Sequence, residues 1–201
     1  MRATTNSIVV AVMTGLVVAC GGGGSDAPEA AQPQSACVPV VVQMFGDSTQ
    51  EQQGSNLQRY MDQRFGAGRV VVENLGVSGT TAEQMRVELV KPSATTVSNY
   101  GINDQHQSVS VEVFKAALRR ANTTIFETPN PTLDGYAPAV REVAAELGRP
   151  LIDVSAWVRS QPGWEQHVPD TYHPDEWLRE QVTNRLVGPA IGDAIASRIC
   201  K

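Results

Sequence analysis

Short runs of β-branched residues alternate along the chain with segments whose apolar residues recur at helical spacing. The strand-like runs are residues 38–45, 69–75, 95–100, 123–127 and 151–154, of which the third is the most polar. Apolar helical stripes lie within residues 57–65, 113–118 and 140–147, and a last helical stretch runs from about 175 to 199 with an interruption at Gly188-Pro189. Strands that alternate with helices require crossover connections. The pattern therefore predicts an α/β domain with three α/β/α layers around a parallel sheet.

The overall composition is that of an ordinary globular protein. The chain has 201 residues, of which 41% are hydrophobic and 18% charged, and this length favours a single folding domain. The net charge is −5, and no cluster of Lys and Arg occurs that could follow a phosphate backbone. Nucleic acid is therefore excluded as the expected partner.

The first residues have the pattern of an export signal. Arg2 is the only charge before an uncharged apolar run at residues 8–19, which is too short to span a bilayer as a helix. The run ends in LVVAC at residues 16–20, which resembles the bacterial lipobox, whose cysteine is diacylated and becomes the new N-terminus. We expect residues 1–19 to be a lipoprotein signal peptide and Cys20 to be the lipidation site. The alternative is an ordinary signal peptide cleaved nearby.

Residues 20–36 are rich in Gly, Ala, Pro and Gln and are expected to be a flexible tether before a domain at 37–201. The expected location is the bacterial cell envelope, at the outer membrane or its periplasmic face, with the membrane contacted through the lipid anchor. In an exported protein the remaining cysteines, Cys37 and Cys200, suggest one disulfide. The alternative is two unpaired buried thiols.

Turn-forming motifs follow the predicted strands, and ligands bind at the carboxyl ends of strands in such sheets. They are GDST at residues 46–49, GVSGT at 76–80, GIND at 101–104 and TPN at 128–130, with DTYHP at 170–174 after the long last loop. Each motif alone is ordinary turn chemistry. Together they converge on one edge of the sheet.

These motifs contain the parts of a nucleophilic serine site. Ser48 lies on a glycine-led turn, and Asp170 and His173 are close enough in sequence for the carboxylate to orient the imidazole that accepts the serine proton. The backbone N–H groups of Ser48 and Gly79 and the side-chain amide of Asn103 are candidate oxyanion donors.

The four blocks Gly46-Asp47-Ser48, Gly79, Gly101-x-Asn103-Asp104 and Asp170-x-x-His173 resemble those of the SGNH, or GDSL, hydrolases over residues 38–200. The resemblance implies Ser48 as nucleophile, His173 as general base and Asp170 as its orienting acid. It implies an oxyanion hole of Ser48, Gly79 and Asn103, with Asp47 supporting the nucleophile turn. The implied fold is a five-stranded parallel sheet in the order 2-1-3-4-5.

The implied function is a cofactor-independent serine esterase that forms an acyl-enzyme, with small-acyl esters of glycans as the favoured substrates. The alternatives are a lysophospholipase or thioesterase type of acyl hydrolase, or a non-catalytic surface lipoprotein that keeps the fold as a binding module. Two features depart from the family: Thr49 replaces the leucine of its motif, and residues 79–101 are short, which indicates a reduced helix there.

Other residues give weaker signals. Ser78 also lies beside glycine but lacks an associated Asp-x-x-His pair, and no metal-binding spacing involves His106 or His167, which we expect on surface loops. Trp157 and Trp164 are expected either to pack against the sheet edge or to line a substrate pocket. Candidate substrate contacts at the active edge are Thr49, Glu127, Thr128, Asn130 and Trp164.

Overall fold

In the computed structural model, which describes residues 37–129, 131 and 135–200, five parallel strands form one sheet. The strands are β1 (Val40–Gly46), β2 (Val70–Asn74), β3 (Thr95–Asn99), β4 (Ile125–Glu127) and β5 (Leu151–Ile152). Their order is β2-β1-β3-β4-β5, so the predicted fold class and strand order are confirmed. The carboxyl ends of the three middle strands are in register, with Gly46 beside Asn99 and Asn99 beside Glu127.

Helices cover both faces of the sheet. They are α1 (Ser48–Phe65), α2 (Ile102–His106), α3 (Val111–Ala121), α4 (Ala137–Glu146), α5 (Val154–Arg159), α6 (Glu176–Val182) and α7 (Gly188–Ile195). One core, around Met44, Leu57 and Ile191, packs α1, α5, α6 and α7 against the sheet. The other, around Phe45, Phe114 and Val143, packs α3 and α4 against the opposite face. Burial of these apolar side chains is the main force that fixes the three layers.

Polar side chains of the central strand β3 are buried because the neighbouring segment pairs with them. The Oγ atoms of Ser98 and Thr123 lie 2.8 Å apart, and the backbone N–H of Thr124 donates to Thr96 Oγ1 at 2.8 Å. At the end of the strand, Asn99 Nδ2 donates to Glu127 Oε2 at 3.1 Å. Since buried hydroxyls that are hydrogen-bonded cost little, a polar strand is compatible with the centre of this sheet.

The crossover from β2 to β3 is reduced, as the short segment predicted. Within residues 75–94, all of which are described, the helical turns are two short 3₁₀ turns, at Ala82–Gln84 and Val87–Leu89. Val87 and Leu89 remain more than one-third exposed, since no full helix covers them. The loop that carries Gly79 is therefore held by other contacts, described below.

The expected interruption at Gly188-Pro189 is wrong, because the chain stays helical through it. A π-helical turn, Thr183–Val187, links α6 to α7, and Pro189, which has no N–H to donate, directly follows this wider turn as the second residue of α7. Gly188 packs against α1: a Cβ atom there would lie 2.7 Å from the Tyr60 ring. The glycine therefore serves close helix packing rather than chain termination.

Cys37 and Cys200 form a disulfide whose Cα atoms are 6.0 Å apart, as the cysteine count predicted. The predicted signal peptide at 1–19, the tether at 20–36 and Cys20 lie outside the described residues. Among the helices that the structure describes, none combines the length and the apolar character that a bilayer crossing requires.

Candidate active site

The turn after β1 presents Ser48 at the carboxyl edge of the sheet. Gly46 is required there, since a Cβ atom would come within 2.5 Å of the backbone oxygen of Asn99. Asp47 then caps α1: its Oδ1 accepts hydrogen bonds from the backbone N–H of Thr49 at 3.0 Å and from Thr49 Oγ1 at 2.8 Å. Ser48 is the first residue of the helix, and its hydroxyl therefore lies near the positive end of the helix dipole.

Asp47 supports this turn, as the family resemblance implies. Its side chain is fully buried, and burial raises the pKa of the Asp47 carboxyl above its ordinary value, while the hydrogen bonds from Thr49 oppose that rise. The Asp47 carboxylate thus holds the turn through Thr49 and does not border the cleft beside Ser48.

Ser48, His173 and Asp170 form one chain of hydrogen bonds. His173 Nε2 lies 2.7 Å from Ser48 Oγ, and His173 Nδ1 lies 2.6 Å from Asp170 Oδ2. The other oxygen of Asp170 accepts from the backbone N–H groups of Tyr172 and His173, at 2.9 and 2.7 Å. These backbone bonds and the bond to the His173 ring lower the pKa of Asp170 to about 2. The carboxylate is thus ionised near neutral pH and fixes the ring, so that Nε2 faces the serine.

The predicted oxyanion donors border the same cleft, whose volume is about 310 Å³. The Asn103 side-chain nitrogen is buried and has no hydrogen-bond partner among the described residues. Gly79 has a φ of +80° and open space where a Cβ would lie, so its backbone is accessible. The cleft is lined by Ser48, Ser78, Gly79, Ile102, Asn103, His106, Tyr172 and His173. An unsatisfied amide donor in this position is suited to receive a developing oxyanion.

Asp104, which the sequence analysis named only as part of the third block, and Gln107, which it did not mention, hold the Gly79 loop against α2. Both carboxylate oxygens of Asp104 accept from the backbone N–H of Ala82, at 3.1 and 3.2 Å, and Gln107 Nε2 donates to the Gly79 carbonyl at 3.0 Å. Burial raises the pKa of Asp104 to about 6, and the charge of Asp47 adds to the rise. Asp104 stands within the GIND block, which is the one signal in the sequence that could have indicated its role.

Ser78 lines the cleft but is held by a carboxylate. Its hydroxyl and its backbone N–H both donate to Oε2 of Glu51, a residue of α1. This contact differs from that of Ser48, whose hydroxyl meets an imidazole. The partner of the Ser78 hydroxyl is thus a carboxylate, whereas that of the Ser48 hydroxyl is an imidazole.

Neither of the two remaining histidines is an isolated surface residue: His106 borders the cleft, and His167 pairs with Asp175. His106 is exposed, but it lies at the end of α2 and borders the cleft, with its ring 5.9 Å from that of Tyr172 in an edge-to-face arrangement. His167 hydrogen-bonds Asp175 at 2.8 Å between Nδ1 and Oδ2. The position of Tyr172, between the orienting acid and the base, made it a candidate wall of the cleft that the sequence analysis missed.

Most of the candidate substrate contacts are placed elsewhere, which corrects those predictions. Thr49 borders a separate cavity of about 30 Å³, shared with Val154 and Leu178, and its hydroxyl donates to Asp47 Oδ1. Thr128 is fully buried and donates to Asp153 Oδ1 at 3.1 Å. Trp164, like Trp157, packs against the core, as the structural alternative predicted.

Glu127 is also buried, and burial raises the pKa of its carboxyl to about 7. The Glu127 side chain is enclosed within the domain and does not border the cleft. Asn130 lies outside the described residues. Within the part of the chain that the structure describes, no group of three or more His, Cys, Asp or Glu side chains is arranged to hold a metal ion.

Comparison of the sequence with protein-family models gives a match to the GDSL-like lipase/acylhydrolase family over residues 42–177. This range begins within β1 and ends after His173, so it contains all four blocks. No match was found among curated protein sequences.

Solved structures with the same fold include the following three. A lipase/acylhydrolase from Enterococcus faecalis is 19% identical, with a TM-score of 0.65 over 80% of this chain and 97% of that one. The acetyl xylan esterase AlAXEase is 15% identical, with a TM-score of 0.58 over 78% and 100%. The psychrotrophic esterase EstA from Pseudoalteromonas sp., solved with monoethylphosphonate as inhibitor, is 14% identical, with a TM-score of 0.54 over 79% and 97%. At these identities the likeness is one of fold.

Proposed function

The chain belongs to the GDSL-like lipase/acylhydrolase family and is a carboxylic ester hydrolase, and from this premise we propose that it acts as a serine esterase through an acyl-enzyme. The single observation that carries the proposal is the hydrogen-bonded chain from Ser48 through His173 to Asp170. A binding-only role for the fold is not favoured, because the serine and the imidazole remain in contact.

In the first half-reaction, Ser48 Oγ bonds to the ester carbon while His173 Nε2 accepts the hydroxyl proton. The carbonyl oxygen becomes an oxyanion, which the Ser48 and Gly79 N–H groups and the Asn103 amide stabilise. His173 then returns the proton to the leaving alcohol as the C–O bond breaks. In the second half-reaction, water attacks the acyl-enzyme with the same base, which releases the acid and restores the Ser48 hydroxyl.

Small-acyl esters of a polar alcohol, such as acetylated glycans, are the proposed substrates. Among the described residues that border the cleft, one side chain, that of Ile102, is aliphatic, and the others, apart from Gly79, are polar or aromatic. The apolar cavity behind Thr49 measures about 30 Å³, the space of one or two water molecules, so it offers little room for a long acyl chain. The fold likeness to an acetyl xylan esterase supports the choice of an acetylated xylan as probe.

The test is an ester panel on the full chain in detergent, with p-nitrophenyl acetate and octanoate beside acetylated xylan. We expect a burst of p-nitrophenol with acetate, a higher kcat/KM for acetate than for octanoate, and release of acetate from the xylan. Ser48→Ala should abolish the burst, whereas Ser55→Ala, a matched change at an exposed position of α1, should keep it. Turnover by Ser48→Ala equal to that of the unmodified protein would rule out the serine mechanism, and a preference for octanoate would favour a lysophospholipase or thioesterase type instead.

The proposed location is the bacterial cell envelope, with Cys20 as the lipid-modified residue. Two features support it: the lipobox-like LVVAC sequence at residues 16–20 and the Cys37–Cys200 disulfide, which suits an oxidising compartment. Expression in a bacterial host with labelled palmitate tests the proposal. We expect label and membrane association in the unmodified chain and their loss in Cys20→Ser; label retained by Cys20→Ser would refute the assignment.

A further inference from the structure

The loop that carries the base contains two His–Asp pairs, one nested inside the other. The inner pair, Asp170 and His173, belongs to the active site. The outer pair, His167 and Asp175, joins the two residues that flank residues 168–174. Both pairs use Nδ1 of the imidazole and Oδ2 of the carboxylate, at 2.6 Å in the inner pair and 2.8 Å in the outer pair.

The outer pair closes the loop at its base through two links. Besides the bond between the side chains, the backbone N–H of Asp175 donates to the His167 carbonyl at 2.8 Å. Asp175 also caps α6, since its Oδ1 accepts from the backbone N–H of Leu178 at 2.9 Å. Burial raises the pKa of Asp175, but the hydrogen bonds from Leu178 and His167 outweigh that effect, and the pKa lies below its ordinary value. The carboxylate is therefore available to both partners at neutral pH.

The His167 ring is also held at its face, in addition to the hydrogen bond at Nδ1. It stacks on the Trp177 indole, with ring centroids 4.0 Å apart and an angle of 25° between the planes. An imidazole bonded at Nδ1 and stacked on an aromatic face has little freedom to turn. The ring thereby connects the start of the loop to α6.

Inside the loop, few backbone bonds hold the chain. Pro169 and Pro174 have no N–H to donate, and the backbone N–H of Thr171 donates to the Val168 carbonyl at 3.3 Å. Thr171 also adopts a positive φ of 73°, an uncommon conformation for a β-branched residue. Arg179 Nη1 bonds the Pro174 carbonyl at 2.5 Å from the α6 side. The outer pair thus joins the two ends of the loop, and His173 lies between them.

We infer that His167 is a positioning residue: through Asp175 it holds the loop so that His173 Nε2 stays within hydrogen-bond reach of Ser48 Oγ. This inference rests on the proposed serine mechanism. A displacement of about 1 Å in a catalytic group can cost up to about 10²-fold in rate, so loss of the outer pair affects kcat before it affects binding of a small ester.

Three substitutions at His167 distinguish the effect of the Nδ1 hydrogen bond from the effect of side-chain volume. Asparagine places its amide nitrogen close to the position of Nδ1, whereas glutamine reaches toward the position of Nε2 and alanine provides no donor. We expect His167→Ala and His167→Gln to lower kcat for p-nitrophenyl acetate about tenfold with KM unchanged, and His167→Asn to remain within about twofold of the unmodified enzyme. Gln166→Ala, at an exposed neighbouring position, is the control and should keep full kcat.

Thermal unfolding of each variant, with kcat measured well below its midpoint, distinguishes positioning from stability alone. A lower midpoint with unchanged kcat in His167→Ala would overturn the inference. Equal kcat values for the asparagine and glutamine variants would also overturn it. This second comparison can be made even if the alanine variant does not fold. Ser48→Ala is assayed in parallel: if it retains activity, the serine mechanism itself fails, whereas an inactive Ser48→Ala with a fully active His167→Ala removes only the positioning role.

Discussion

His173 Nε2 lies 2.7 Å from Ser48 Oγ, although 125 positions separate the two residues along the chain. Each partner is held in place by its own carboxylate. Asp47 caps the helix that begins with Ser48, and Asp170 binds both the ring and the backbone of His173. Removing either support should therefore change the reaction rate without dismantling the sheet.

Asp170→Asn should lower kcat about 10²- to 10⁴-fold. The amide oxygen can still accept from the backbone N–H groups of Tyr172 and His173, so the turn should survive. The amide cannot stabilise the imidazolium that forms when Ser48 gives up its proton. Stopped-flow assay of p-nitrophenyl acetate measures the loss of burst rate, and circular dichroism checks the fold. A burst rate equal to that of the unmodified enzyme would show that the inner pair has no catalytic part.

Asn103→Ala should lower kcat about 10²- to 10³-fold while KM changes little, because the amide bonds the oxyanion more strongly than the ground-state carbonyl. The buried side-chain nitrogen has no partner among the described residues, so its removal leaves no broken pair in the resting protein. Steady-state kinetics with acetate esters provides the measurement. Gln105→Ala, on the same helix, is the control, and an equal loss in both variants would point to damage of α2 instead.

Glu127→Gln should change how stability depends on pH. Burial raises the pKa of Glu127 to about 7 in the folded protein, against an ordinary value of 4.5, so the folded state holds this proton more tightly than the unfolded chain. The resulting stabilisation is complete below about pH 4.5 and is lost as pH rises to about 7, by an amount of about 3 kcal/mol. Glutamine cannot ionise, so the free energy of unfolding of Glu127→Gln should not show this fall with rising pH.

Urea unfolding at pH 5 and pH 8 tests this prediction. The free energy of unfolding of the unmodified protein should fall between these values by about 2–3 kcal/mol more than that of Glu127→Gln, since a small part of the effect is already lost at pH 5. Glu165→Gln, at an exposed position, should follow the unmodified protein. Parallel pH profiles for the protein and Glu127→Gln would mean that the buried carboxyl does not titrate in this range.

The disulfide should contribute about 2–5 kcal/mol to the free energy of unfolding, since it closes a loop with a sequence separation of 163. Cys200→Ser and the unmodified protein in reductant should show the same lowered urea midpoint. Cys20→Ser should retain the original midpoint, because the cysteine lies in the predicted lipid-anchored segment. If reductant lowers the urea midpoint of Cys200→Ser as much as that of the unmodified protein, the shift does not come from the Cys37–Cys200 bond.

The sequence predicted the sheet because apolar β-branched runs and helical stripes are local signals. It also indicated Ser48, Gly79 and Asn103, since each stands in a short block after a strand, and Asp170 and His173, since their spacing completes the resemblance to the family. It could not explain the polar strand β3, because the hydroxyl partners Thr123 and Thr124 are distant in sequence and meet it only after pairing.

The same reason applies to the residues that were missed or misplaced. Gln107 acts on Gly79 and Glu51 on Ser78 through contacts between distant segments. Thr128 stands at a strand end, which suggested a substrate contact, but its hydroxyl is used by Asp153. Side-chain direction at such an edge depends on neighbours that a single sequence does not identify.

The Cys37–Cys200 bond makes the described domain a closed ring, with its first and last Cα atoms 6.0 Å apart. A circular permutant could therefore join these ends by a very short peptide and open the chain at Ala67, in the exposed turn between α1 and β2. That turn lies where β2 begins, on the edge of the sheet opposite Ser48 and His173. The rearranged polypeptide should keep its hydrolytic centre and have new ends available for fusion or immobilisation on the face away from incoming ester.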